Sequence, residues 1–198
     1  VLKGISLISH KLSHCSIIQR ENTTETRRHY RLHSYTILKY KNVNRSGVER
    51  MSREADAKIE NATTTISLAF PVDDKMVPVR SAEGELIFAY LPVIAAGFGF
   101  AINADFELVA SRQDVSSHGS NDVLLGRIPS LFVHAILTDP TLGEDAFATY
   151  LPDVESIRQD RSGGGRKWRT LATALHRETG AWMTIPTEDV PVRAKRKH

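Results

Sequence analysis

The spacing of apolar and polar positions divides the chain into strand-like and helix-like stretches. Within 13–20 and 32–40, Ile17, Ile18, Tyr35, Ile37 and Leu38 supply β-branched and aromatic character, and polar Asn22, Thr23, Thr24 and Glu25 lie between. This pattern predicts two strands and a polar connection. Residues 42–61 hold Asn44, Arg45, Ser46 and Gly47 followed by a charged run, which predicts a surface loop with one helical turn. Three better-patterned runs follow. Thr63 to Phe70 stops at Pro71, Glu85 to Leu91 stops at Pro92, and Gly97 to Asn103 comes after a short loop. Their punctuation and short connections predict three strands with antiparallel pairing.

Beyond these the period changes. Val123, Leu124, Arg127, Ile128, Leu131, Phe132, Ala135 and Ile136 recur at helical spacing, with Ser120 or Asn121 placed to cap the start and Pro129 predicting a kink or a restart near Arg127. Trp168, Leu171, Ala172 and Leu175 fit one amphipathic helix ending at Gly180, and Ala181 to Ile185 reads as a short strand. The expected fold class is α+β: a mostly antiparallel sheet with helices packed on one face. Residues 1–138 form the principal domain, 139–192 a helix and short-strand extension or the start of a next domain, and 193–198 a basic tail. Phe88, Leu91, Phe100, Phe106, Leu124, Leu131 and Phe132 are expected to share one core.

Composition refines this picture. With 198 residues, 41% of them hydrophobic and 25% charged, the chain has room for one sizeable globular domain or two small ones. It begins at Val1 in an apolar stretch, so the natural N-terminus is expected to lie upstream. No window holds the roughly 18 apolar residues of a membrane-spanning helix, and membrane partners are not expected. One cysteine, Cys15, cannot form an internal disulfide, which makes cytoplasm or nucleus the expected compartment. Charge is uneven: residues 1–50 carry +7, residues 51–160 carry −10 and residues 161–198 carry +6. Basic ends suit nucleic acid, or pairing with the acidic middle or with other parts of a parent protein.

Most candidate chemistry reads as ordinary structure. His10, His14, Cys15, His29 and His33 offer zinc-ligand types, but residues four apart on a strand stand about 13 Å from each other, too far for one ion. Ser117 and His118, with Asp114 and Asp122 nearby, supply the residue types of an acyl-transfer triad without a nucleophile elbow. Gly163, Gly164, Gly165, Arg166 and Lys167 lack phosphate-loop spacing, and Gly97, Phe98 and Gly99 lack the third glycine of a dinucleotide fingerprint. No complete catalytic site is expected.

One ordered series stands apart. It runs from Phe88, Ala89, Tyr90, Leu91 and Pro92, through Gly97 to Phe106, to Ser111, Arg112, Gln113, Asp114 and Val115, and then from Asn121 to Ser130, Leu131 and Phe132. It resembles the region that follows the ATP-binding domain in the NO VEIN and sacsin family, distant relatives of the ninety-kilodalton heat-shock ATPase chaperones. Thr65 to Phe70 is similar to that family's preceding strand, and the resemblance covers residues 60–138. The family's metal-binding Asn and Glu helix and its Asp-x-Gly-x-Gly adenine motif are not found in this sequence and would lie upstream. The resemblance implies a transducer-like domain, a non-catalytic piece of a larger chaperone-like ATPase that couples an upstream nucleotide-binding domain to downstream regions. It implies no cofactor in this chain, with ATP and Mg bound elsewhere in the parent. Ser111, Arg112 and Gln113 take the place of the chaperones' Asn-x-Ser-Arg-Glu segment, with Arg112 the candidate contact to the terminal phosphate. The implied partners are the upstream ATP-binding domain and protein clients. The alternative is a nucleic-acid-binding or protein-interaction module using the basic ends.

Overall fold

The computed structural model describes residues 7–21, 24–38, 63–117, 119–143, 145–158 and 165–183. The loop expected over 42–61, the glycines Gly163 and Gly164, and the basic tail 193–198 lie outside the described residues. Six strands form one sheet: β1 (Leu7–Glu21), β2 (Thr24–Leu38), β3 (Thr63–Val72), β4 (Glu85–Ala89), β5 (Leu91–Phe98) and β6 (Ala101–Asn103), in the order β1-β2-β3-β6-β4-β5. All neighbours are antiparallel except β4 and β6. The helices are α1 (Gly119–Thr138), α2 (Ala146–Tyr150), α3 (Val154–Arg158) and α4 (Gly165–Met183). The fold is therefore α+β with a largely antiparallel sheet. No helix among the described residues is long and apolar enough to cross a membrane.

Strand alternation decides which side of the sheet is buried. Tyr35 and Ile37 on β2, Ile66, Leu68 and Phe70 on β3, Ile87 on β4 and Ile102 on β6 all lie in the core. Helices α1 and α4 cover this side through Leu131, Phe132, Trp168, Leu171 and Leu175. Aromatic rings join the layers: Phe100 lies 4.9 Å from Phe132 and 5.4 Å from Phe70, and Phe98 lies 6.1 Å from Trp168. Leu142, Ala146, Phe147 and Tyr150 belong to the same core, and the Tyr150 hydroxyl donates to the Pro71 carbonyl at 2.5 Å. Gly99 is required where these layers meet, because a Cβ there would stand 2.9 Å from the Tyr150 Cα.

Several expectations need correction. Strands β1 and β2 are longer than the apolar runs within them, since they continue through polar residues such as Lys11, Arg27 and Arg28 that point to solvent at the sheet margin. Pro71 does not end β3, which continues to Val72, with Pro71 opposite Tyr30. The run from Glu85 to Leu91 is not one strand: the chain reverses at Tyr90, and Pro92 sits opposite Phe88 on strand β5 at the sheet edge, the position in a sheet where proline is tolerated. Similarly, 97–103 bends at Gly99 and Phe100 between β5 and β6. Leu91 is 67% exposed and so lies outside the core, and Phe88 is half-buried on the side away from the helices. Phe100, Phe106, Leu124, Leu131 and Phe132 do share one core.

Helix α1 passes through Pro129 as a single element. Asn121 lies inside it and ties down the preceding loop. Helix α4 runs past Gly180 to Met183, so Ala181, Trp182 and Met183 are helical rather than extended, and Thr184 and Ile185 lie outside the described residues.

Candidate functional site

The turn carrying Ser111, Arg112 and Gln113 is built almost entirely by its neighbours. Leu108 and Val115 form an isolated bridge at its base. The amide of Val109 donates to the Asp114 carbonyl at 3.0 Å, and that of Arg112 to the Val109 carbonyl at 2.8 Å. Beneath it the Asn121 side chain, 1% exposed, acts as a clamp. Its Oδ1 accepts from the Glu107 amide at 3.0 Å, and its Nδ2 donates to the carbonyls of Glu107 and Ser116, each at 2.8 Å. Asp114 is engaged from two sides, by the Val115 amide at 2.7 Å and by Lys167 Nζ at 2.9 Å. Lys167 also donates to the Val115 carbonyl, so the first turn of α4 supports this loop.

Ser111, Arg112 and Gln113 are all exposed, and Arg112 has φ 57°. A non-glycine residue in this left-handed region costs of order 1–3 kcal/mol, which the surrounding structure must offset. A purely structural alternative has Arg112 pin the turn by pairing with Asp105 or Asp114; of these, the Asp114 carboxylate is engaged by Lys167 and by the Val115 amide.

A second constellation is buried between the β1–β2 hairpin and the end of α1. Asp139, which follows α1, has a fully buried side chain. It accepts two charge-assisted bonds from Arg31, Nε to Oδ2 at 2.8 Å and Nη2 to Oδ1 at 3.0 Å. The Thr141 amide donates to Oδ1 at 2.9 Å, and His33 Nε2 lies 3.1 Å from Oδ2. Because an ionised carboxylate only accepts, His33 must donate through Nε2. With one proton on that ring, its Nδ1 accepts from His10 Nε2, 3.1 Å away. His10 stacks on Tyr35 at 4.5 Å and meets His134 edge-on at 5.2 Å, and the Tyr35 hydroxyl lies 3.2 Å from His134 Nδ1.

Burial alone would raise the Asp139 carboxyl, but the bonds from His33, Arg31 and Thr141 prevail and hold it far below the usual carboxylate range. His134 is pushed down to about 4, first by burial and then by the nearby His10 and His33. His10 is lowered by burial and by His33, with Asp139 opposing. This is the orienting half of a triad, but the second imidazole nitrogen meets His10 instead of a nucleophile's hydroxyl. Its chemistry is that of a buried clamp and not of acyl transfer.

The clamp predicts acid sensitivity. His10 and His134 have folded values below that of a free histidine, so the unfolded chain binds more protons as pH falls. Their contribution is fully present above about pH 6.5 and is lost on descending toward pH 4. Asp139 adds a second loss below about pH 4. Melting temperatures across pH 4–8 should fall steadily below pH 6.5, by the equivalent of about 1–3 kcal/mol, and His134→Gln should flatten that slope. A pH-independent melting temperature in this range would contradict the arrangement.

The other expected candidates are not brought together. His14 and His29 stack at 5.4 Å, with Ser16 Oγ 2.8 Å from His29 Nδ1, on the exposed hairpin. Among the described residues no group of three or more His, Cys, Asp or Glu side chains could hold a metal ion. Ser117 is exposed, Asp122 is exposed and Asp114 is engaged by Lys167, while His118 lies outside the described residues. Gly165 is the first residue of α4. Sequence reasoning missed the Asp139 clamp. The available signal was the alternation of Arg31, His33 and Tyr35 on one face of β2, three polar-tipped side chains aimed inward where aliphatic ones are usual.

No family model matches this sequence, and no solved structure matches it. Among curated proteins, Protein NO VEIN of Arabidopsis thaliana is 38% identical over 79 residues, which cover 37% of this chain and 3% of that protein. The likeness supports a distant relationship over that stretch, and the chain spans a small part of the relative's length.

Proposed function

We propose that this chain is a non-catalytic module of a larger NO VEIN-like protein that couples an upstream ATP-binding domain to downstream regions, with Arg112 reaching the terminal phosphate when the two domains close. The observation that carries this reading is the placement of Arg112. It is displayed to solvent from a strained turn whose stability comes from Asn121, Asp114 and Lys167. Backbone strain at a displayed charged residue is a recurrent mark of function.

The chemistry follows from the guanidinium. Its planar fork can donate two parallel bonds to phosphate oxygens, a contact lysine cannot reproduce. The flanking Ser111 hydroxyl and Gln113 amide can donate to the same anion. The groups that hold adenine and magnesium belong, in this reading, to the upstream domain. The sacsin-like and chaperone-like character of the parent is part of the proposal and rests on the ordered motif series from Phe88 to Phe132.

Arg112→Ala in the full-length parent tests it. A contact formed mainly in the reacting state lowers turnover while leaving nucleotide affinity nearly intact. Losing one such contact should reduce ATP turnover by about tenfold to a thousandfold. Arg112→Lys should recover little of it. Normal turnover in the alanine variant would remove Arg112 from the mechanism.

A further inference from the structure

The side of the sheet away from the helices carries a hollow whose origin lies in two small residues. Ala69 and Ala101 are direct partners across β3 and β6, and Leu32 stands opposite Ala69 on β2. Larger side chains rise around them, Ile17 from β1 and Phe88 from β4, with Tyr90 at the rim, leaving a groove of about 210 Å³. That is below the roughly 300–1,000 Å³ of pockets that enclose cofactors and drug-sized ligands, and suits a single large side chain.

Several polar side chains of this groove already have partners within the sheet. The Tyr30 hydroxyl donates to Glu85 at 3.3 Å, Ser67 pairs with Ser34 at 2.9 Å, and Asn103 Oδ1 accepts from the Tyr90 amide at 3.0 Å. With these groups engaged and Ile17, Leu32, Ala69, Phe88 and Ala101 lining the rest, an apolar occupant is favoured.

Tyr90 supplies an independent observation. It has φ 62°, where glycine or asparagine would be at ease, and its side chain is 76% exposed. Holding a bulky aromatic there costs of order 1–3 kcal/mol. Folding gains nothing visible from an exposed ring, whereas a binding surface gains a rigid amphipathic aromatic at its edge, and tyrosine is enriched among the residues that dominate interface energy.

Charge narrows the partner. On this face Arg28 lies opposite Ile17 and Lys11 opposite Ser34, so two exposed cations bracket the groove along the hairpin. Glu85, the carboxylate in the lining, is 7% exposed and is covered by Tyr30, with the charge of Arg28 close by. An approaching chain meets the cations first.

We propose that this groove docks a bulky apolar side chain carried on an acidic segment of a partner protein. The proposal is independent of Arg112, which lies on a different part of the chain.

The test uses a labelled twelve-residue peptide with a central tryptophan flanked by Asp and Glu, its alanine-for-tryptophan counterpart, and a version flanked by Lys, each read by fluorescence anisotropy. The acidic tryptophan peptide should bind with a dissociation constant of about 10–500 μM, and either change should weaken it at least about tenfold. Bound peptide should also slow alkylation of Cys15, the chain's single thiol, which lines the groove. Tyr90→Gly should raise the melting temperature by relieving the strained backbone and yet weaken binding about tenfold, a split that a purely structural residue cannot give. The surface pair Lys11→Glu with Arg28→Glu should invert the preference toward the Lys-flanked peptide. The proposal fails if no peptide binds at about 1 mM, if the peptide lacking tryptophan binds equally well, if Tyr90→Gly leaves affinity unchanged, or if the chain sediments as a dimer abolished by Tyr90→Gly, which would make the occupant a second copy.

Discussion

Asp139→Ala is expected to destabilise the protein by about 3–5 kcal/mol, a large part of the roughly 5–15 kcal/mol that holds a typical domain together. The carboxylate is fully buried and answers three donors at once: the Arg31 guanidinium, the His33 imidazole and the Thr141 amide. Removing it leaves the Arg31 charge, only 15% exposed, without its counter-ion. It also leaves the His33 Nε2 proton with no acceptor in a fully buried site. The cost is mainly that of stranding these groups, since an intact buried pair can be nearly neutral relative to an apolar replacement. Arg31→Ala combined with Asp139→Ala should therefore cost clearly less than the sum of the two single changes, with a coupling of about 0.5–3 kcal/mol by denaturant unfolding. Strict additivity would mean that the ion pair does not form in solution. The consequence reaches beyond stability, because Asp139 joins the β1–β2 hairpin to the corner after α1. Losing it should loosen the hairpin that bears Lys11, Cys15 and Ile17.

Phe100→Ala is expected to cost a similar amount, about 3–5 kcal/mol, through a different mechanism. Phe100 is fully buried at the bend between β5 and β6 and touches Phe70, Phe98 and Phe132, so its ring links sheet and helices. Truncation removes the transfer free energy of the ring and leaves a cavity among rigid aromatic neighbours that cannot collapse to fill it. Urea unfolding should show a lower midpoint with an unchanged slope. A midpoint equal to that of the parent chain would contradict the placement of this residue.

The legible part of the fold was the part written in short-range periodicity. Leu124, Leu131 and Phe132 fall on one side of a helical repeat, and Thr64, Ile66, Leu68 and Phe70 alternate as a half-buried strand must. Those patterns carry the α+β class and much of the core. The reversal at Tyr90 was not legible, since tight reversals are usually marked by glycine or asparagine and this one is made by a tyrosine whose amide is held by a side chain thirteen residues away. Reading one strand there put Leu91 and Phe88 into the core, whereas the hairpin turns Leu91 to solvent and Phe88 toward the open groove. The Asp139 clamp was invisible for another reason. Its partners Arg31 and His33 stand more than a hundred residues away, and no local spacing encodes a contact made by packing a helix end against a distant hairpin. Arg112 was singled out from a resemblance. The structure adds what sequence could not give, its left-handed backbone and the neighbours that hold the turn from beneath.

Hydrogen exchange on the full-length parent, with and without a non-hydrolysable ATP analogue, tests most directly whether this chain senses a nucleotide bound upstream. If Arg112 meets the terminal phosphate on closure, amides from Val109 to Ser116 should exchange more slowly in the presence of the analogue, and the protection should disappear in Arg112→Ala while the analogue still binds. Exchange in this turn that is indifferent to the nucleotide, at concentrations that saturate the upstream site, would contradict the coupling.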